Sequence, residues 1–115
     1  MEGILYVGTA AEMPKSASDA LPRDIATFSR RDNQVWVISE WRKAGKISKG
    51  VLSAKVYDDQ NQLRVTVQPK RVSLSAAPTR SGFGFAPASL PPGFYRIDLL
   101  WDDQPVWRTF IRISE

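Results

Sequence analysis

Two adjacent carboxylate pairs, Asp58-Asp59 and Asp102-Asp103, are the first residues here whose type and spacing invite chemistry. If their turns met at one end of a fold, the grouped oxygens would suit a Ca²⁺ ion. The plainer reading is that Asp favours turns because its side chain accepts hydrogen bonds from the local backbone. That reading is preferred, and no metal and no cofactor is expected. General acid–base work fits less well still, because exposed turn carboxylates have no reason to titrate near neutrality.

Other catalytic constellations are thinner. The chain has no histidine and no cysteine, which removes the commonest general base, the commonest transition-metal ligand and all thiol chemistry. A Ser–Lys dyad could be sought at Lys15-Ser16 or Ser48-Lys49, but adjacent residues of a strand point to opposite faces. The stretch Arg80-Ser81-Gly82-Phe83-Gly84 contains Gly-x-Gly. No helix signal follows it to supply amide donors to a phosphate, so it reads as a glycine-bearing strand. The chain is not expected to be an enzyme.

Two features point instead to binding. The segment Arg42–Gly50 (RKAGKISKG) carries Arg42, Lys43, Lys46 and Lys49 beside Trp41, the densest basic cluster in the sequence. It could contact a nucleic acid, an anionic lipid surface or an acidic partner, although loops at sheet ends are often merely Lys-rich and solvated. There are also four tryptophans: Trp36, Trp41, Trp101 and Trp107. An exposed Trp stacks on sugar rings or anchors protein interfaces, whereas a buried one centres a core. Trp36 and Trp41 lie on opposite sides of one strand, so whichever faces outward is the better binding candidate. Candidate binding residues are therefore Trp36, Trp41, Arg42, Lys43, Lys46 and Lys49.

A chain of 115 residues fits one domain spanning 1–115. The composition, 43% hydrophobic and 24% charged, is that of a packed globule rather than a disordered chain. A net charge of +4 is a mild excess, far from the dense stripe of a nucleic-acid binder. The apolar run Ile4–Val7 is too short for a signal peptide, and no run reaches the length of a membrane helix.

Eight prolines interrupt the chain, and no long stretch repeats apolar residues at helical spacing. The best helical candidate is a turn within Ser16–Leu21. Strand patterns are many: Ile4–Thr9, a short edge at Asp24–Ser29, the apolar Gln34–Trp41, and a hairpin from Val51 to Gln68 around the turn at Asp58–Asn61. They continue with Arg71–Ala76, Phe83 and Phe85 opposite Gly82 and Gly84, then Phe94–Trp101 and Val106–Ile113. This is the pattern of an antiparallel, immunoglobulin-like all-β sandwich of about seven or eight strands. In the last hairpin, a three-residue turn at Asp102–Gln104 pairs Trp101 with Pro105, Leu99 with Trp107 and Ile97 with Thr109. It also sets Asp98 opposite Arg108. A two-residue turn would bury Arg108 and Arg112, at a prohibitive cost, unless a bulge near Phe110 intervened.

The segment Leu90–Ile113 (LPPGFYRIDLLWDDQPVWRTFIRI) resembles the C-terminal hairpin of many bacterial extracytoplasmic immunoglobulin-like domains. Pro92-Gly93 and Tyr95-Ile97-Leu99 match that pattern, and Asp102-Asp103 matches it without the usual turn glycine. The resemblance covers about a fifth of the chain. It implies a non-catalytic binding or structural module making protein–protein contacts in a bacterial envelope or secreted assembly, periplasmic or extracellular rather than cytoplasmic. It carries over no site residues. Carbohydrate is the alternative ligand, through exposed aromatics on one sheet face; an anionic ligand, nucleic acid or lipid, would use the Arg42–Lys49 loop. Nucleic acid is the less favoured of these because only one aromatic stands beside the charges.

Overall fold

Period-two alternation dominates the observed structure. In the strand Gly93–Trp101, Tyr95, Ile97, Leu99 and Trp101 are buried on one side, while Phe94 and Arg96 point the other way. The same alternation sends Val35, Val37 and Trp41 inward from Val35–Trp41. The computed structural model describes residues 2–16 and 18–115. The described residues form nine strands in order: β1 (Ile4–Ala10), β2 (Thr27–Ser29), β3 (Val35–Trp41), β4 (Lys49–Tyr57), β5 (Leu63–Thr66), β6 (Lys70–Ser73), β7 (Thr79–Phe85), β8 (Gly93–Trp101) and β9 (Gln104–Ser114). A 3₁₀ turn, Pro87–Ser89, precedes β8.

The strands make a two-sheet sandwich. One sheet has the order β1-β3-β7, and the other runs β2-β9-β8-β4-β5 with β6 also on β4. Strands β5 and β6 are two halves of one edge. Lys55 of β4 faces Thr66, yet Leu52 faces Lys70, so the edge carries one extra residue between them. Pro69 sits in that interruption, where its missing N–H removes a ladder bond. Counted as one broken edge, they bring the strand number to the upper end of the expectation. All pairings are antiparallel except the short β2–β9 contact, which is parallel.

The core lies between the sheets. Phe28, Val35, Val37, Trp41, Leu52, Val56, Ile97, Leu99, Ile111 and Ile113 are almost wholly enclosed, each worth roughly 1.5–3 kcal/mol of burial. Trp41 from one sheet stacks on Trp101 from the other, with ring centroids 5.1 Å apart. Gly50 makes that stack possible, because a Cβ there would run into the Trp101 ring.

Two expectations change in detail. The β8–β9 turn has two residues, Asp102 and Asp103, at φ 49° and 65°. Beyond it Leu100 faces Pro105 but Leu99 faces Trp107, so Val106 bulges out. The bulge restores the register argued from charge, with Ile97 on Thr109 and Asp98 on Arg108, and keeps Arg108 and Arg112 out of the core. Within Ser16–Leu21 the described residues form a turn, closed by the Asp19 N–H donating to the Ser16 carbonyl at 3.1 Å; Ala17 lies outside the described residues.

Candidate functional site

The carboxylate pairs do not meet. Asp58-Asp59 follows the end of β4, whereas Asp102-Asp103 lies beyond Trp101, which pairs with Leu52 near the start of β4. Roughly 17 Å of strand separates them. One member of each pair holds backbone N–H groups, Asp58 within its own turn and Asp102 on the neighbouring strand β4. Asp58 accepts from the backbone N–H groups of Gln60 and Gln62, both at 2.9 Å. Asp102 accepts from the N–H of Val51 at 2.8 Å. The Gln62 N–H, helped by Gln60 and the Arg64 guanidinium, outweighs partial desolvation and holds Asp58 below the usual carboxylate range. Gly82 and Gly84 lie in β7. There a Cβ would collide with Met13 and with the Trp36 ring, which spreads across both glycines.

The sequence-derived binding residues fall in separate places. Trp41 is 0% exposed, so it packs the core and leaves no ring face for a ligand. Trp36 is the outward member of the pair and is half-buried. It borders an open cleft of about 590 Å³ with Glu12, Lys15, Asp32 and Asn33. Arg42, Lys43, Lys46 and Lys49 are all exposed, beyond the far end of β3. Their loop is held by its backbone: Arg42 N–H donates to the Gly3 carbonyl at 2.9 Å and Lys43 N–H to the Ser75 carbonyl at 2.7 Å. Lys46 and Lys49 share a groove of about 530 Å³ with Trp101, Asp102, Gln104 and Val106. The structure thus brings Lys46 and Lys49 together and leaves Trp36 at the opposite end of its strand.

A different surface stands out on the outer face of the six-stranded sheet. Phe94 of β8 is 63% exposed and Phe110 of β9 is 66% exposed. They are diagonal neighbours, since Phe94 faces Arg112 and Phe110 faces Arg96 across the ladder. Both border a shallow cleft of about 250 Å³ whose other walls include Asp58, Asp59, Asn61 and Arg96. Leu63, 50% exposed, continues the apolar surface on β5, opposite Tyr57.

Arginines frame these rings. The Arg96 guanidinium lies 4.2 Å above the Tyr57 ring and donates to Asn61 Oδ1 at 2.7 Å. Its Nε stands 3.4 Å from Asp98 Oδ1, outside hydrogen-bond geometry. Arg112 sits 5.9 Å from the Phe94 ring centroid. Arg108 grips Asp98 through Nε and Nη2, and burial pushes the Tyr95 phenol beneath the cleft upward, keeping it neutral. The surface offers apolar rings, planar cations and carboxylates. Such a mixture is suited to contact.

Sequence reasoning passed over Phe94 and Phe110, although the signal was there. Tyr95, Ile97, Leu99 and Trp101 point inward, so Phe94 and Arg96 must point outward. The Asp98–Arg108 pairing then places Phe110 and Arg112 on the same outer face. Two phenylalanines at outward positions, interleaved with arginines, mark the site.

No family model matches the sequence, and no curated protein does. Solved structures match in shape. A β-glucosidase from Listeria innocua in complex with glucose superposes over 96% of this chain and 16% of its own, with TM-score 0.65 and 12% identity. A β-glucosidase from Kluyveromyces marxianus matches over 73% of this chain and 13% of its own, with TM-score 0.54 and 7% identity. A glycosyl hydrolase family 2 member from Bacteroides cellulosilyticus matches over 97% and 14%, with TM-score 0.50 and 21% identity. At these identities the likeness is one of fold. The chain spans about a sixth or less of the length of those structures.

Proposed function

We propose that this domain is a non-catalytic, immunoglobulin-like contact module of a bacterial envelope or secreted assembly. In this reading it docks on another protein surface through the outer face of its six-stranded sheet. One observation carries the reading: Phe94 and Phe110 stand 63% and 66% exposed side by side on one face. Isolated surface phenylalanines are ordinary, but two adjacent ones in an arginine frame have the composition of an interface. The lack of His and Cys in the sequence supports a role without chemistry. The small share of the matched glycosidases that this fold occupies supports a role as one module among others.

The test is site-specific photo-crosslinking in cells. A benzophenone side chain is placed at Phe94 or Phe110, and in parallel at Lys46 and Trp36. The reading expects a discrete protein adduct from the first two positions and background from the others. Adducts from Lys46 alone would move the docking site to the basic loop.

Carbohydrate is the second reading, favoured by the same pair of rings beside Asp59, Asn61 and Arg96. It expects chemical-shift changes at Phe94 and Phe110 during titration with a glycan panel, and unchanged spectra would remove it.

A further inference from the structure

The outer face has an arrangement that one particular partner satisfies. Its residues fall into rows that run across the strands. The first row is Leu63, Tyr57, Arg96 and Phe110, on β5, β4, β8 and β9 in turn. The second row lies one step nearer the sheet end. It has the Asp58–Asn61 turn on the β4 side, Phe94 in the middle and Arg112 on β9. The third row, on the other side of the first, is Lys55, Asp98 and Arg108.

Charge is distributed unevenly along the second row. Asp59 is exposed and, among the described residues, accepts no hydrogen bond and joins no ion pair. Arg112 is exposed at the other end of the row, and its guanidinium meets the Phe94 ring but no carboxylate among the described residues. A free anion and a free cation therefore flank an exposed aromatic, with β8 between them.

We infer that this face pairs with the same face of a second copy of the chain, about a two-fold axis running parallel to β8. This rests on the outer face being the docking surface, as proposed above. Rotation about that axis exchanges the β4 and β9 sides. Asp59 of each copy then meets Arg112 of the other, and Phe94 meets its own counterpart on the axis. Phe110 lands on Tyr57 and Leu63 of the other copy. An axis at right angles to β8 would instead set Asp59 against Asp59, so the charges select one arrangement. Arg96, like Phe94, falls on the axis and faces its own counterpart; its guanidinium lies flat on Tyr57 and is held by Asn61, so Phe94 and Phe110 carry the contact. The third row would set Lys55 against Arg108, so the contact ends before it.

Two rows form a small patch. Stable interfaces bury roughly 1,200–2,000 Å² in total, and smaller ones are transient. The pairing is therefore weak by itself and strengthened wherever copies are held close together.

Sedimentation equilibrium from about 10 µM to about 1 mM tests it. The weight-average mass is expected to rise from 12.9 kDa towards twice that value. Phe110→Ser should abolish the rise while leaving the circular dichroism and melting curve those of a folded sandwich. Asp59→Arg and Arg112→Asp should each abolish it, and the double variant should restore it. Lys46→Glu should leave it unchanged. A constant monomer mass up to 1 mM overturns the inference, as does association that survives Phe110→Ser or fails to return in the double variant. If the chain stays monomeric but photo-adducts form at Phe94 and Phe110 with a different protein, the docking face stands and the second copy is excluded as its partner.

Discussion

Asp98 and Arg108 face each other across the β8–β9 hairpin, and the guanidinium holds the carboxylate through Nε at 2.7 Å and Nη2 at 3.2 Å. Asp98 is 5% exposed, while half of the Arg108 side chain reaches solvent. The arginine is thus a lid on a carboxylate that has been taken out of water. Arg108→Ala leaves that carboxylate with Arg96 at 3.4 Å and with Lys55 opposite it on β4, neither of them hydrogen-bonded to it, whereas Asp98→Ala frees an arginine that can turn to solvent. Thermal melts are expected to order the variants accordingly, with Arg108→Ala the less stable single variant and Arg108→Lys intermediate, because an ammonium cannot make the two-pronged contact. Equal melting temperatures for all three would show that the grip contributes nothing.

The Trp41–Trp101 stack joins the two sheets, and its loss should be expensive. Trp41→Ala is expected to cost about 3–5 kcal/mol in denaturant unfolding. Trp41→Phe should cost clearly less, because it keeps most of the ring and removes an indole N–H that has no acceptor among the described residues. Gly50→Ala should also destabilise, by about 1–3 kcal/mol, through the collision of its new methyl with Trp101.

The hairpin turn predicts a gain. Asp102 and Asp103 both hold left-handed backbone, which costs an L-residue roughly 1–2 kcal/mol. Asp102 repays it by accepting from Val51. Asp103 makes no such bond among the described residues. Asp103→Gly is expected to raise stability by about 0.5–1 kcal/mol, after the extra freedom of glycine in the unfolded chain is subtracted. A loss of stability would mean that the Asp103 side chain has a partner in solution.

Acid stability should depend on Asp58. Its pKa is lowered in the folded state, first by the Gln62 N–H and then by Gln60 and Arg64. A lowered folded pKa means that the unfolded chain binds the proton more readily. The contribution is therefore complete above the unfolded value of about 4 and is lost as pH falls through the lower folded value. Melting temperature measured from pH 6 to pH 2 should fall less steeply below pH 4 in Asp58→Asn than in the parent. Parallel curves would contradict that assignment.

What could be read in advance followed from alternation. The inward set of β8 and the pairing of Asp98 with Arg108 were legible because burying two guanidiniums excludes the other register. The turn was not, since a two-residue turn plus a bulge at Val106 reaches the same register as a three-residue turn, and nothing local separates them. That Trp36 and Trp41 oppose each other was legible from their odd spacing. Which one faced the core depended on Trp101 arriving from the other sheet, a contact about sixty residues away in the chain. The basic loop is legible in the sequence because its four charges fall within eight residues, Arg42 to Lys49. The Phe94–Phe110 surface comes from two strands, and it appears only when both outward parities are followed through one register. A local scan for charge density favours the first kind of feature over the second.

The central claim is that Phe94 and Phe110 are exposed in the isolated domain in order to be covered by a partner. Hydroxyl-radical footprinting reads this directly, by comparing oxidation of the two rings in the dilute, isolated domain with that in the protein within its native cell extract. The account expects rapid oxidation of both in the isolated domain and strong protection of both in the extract, with Trp36 changing little. Equal oxidation of Phe94 and Phe110 in the two settings would contradict it.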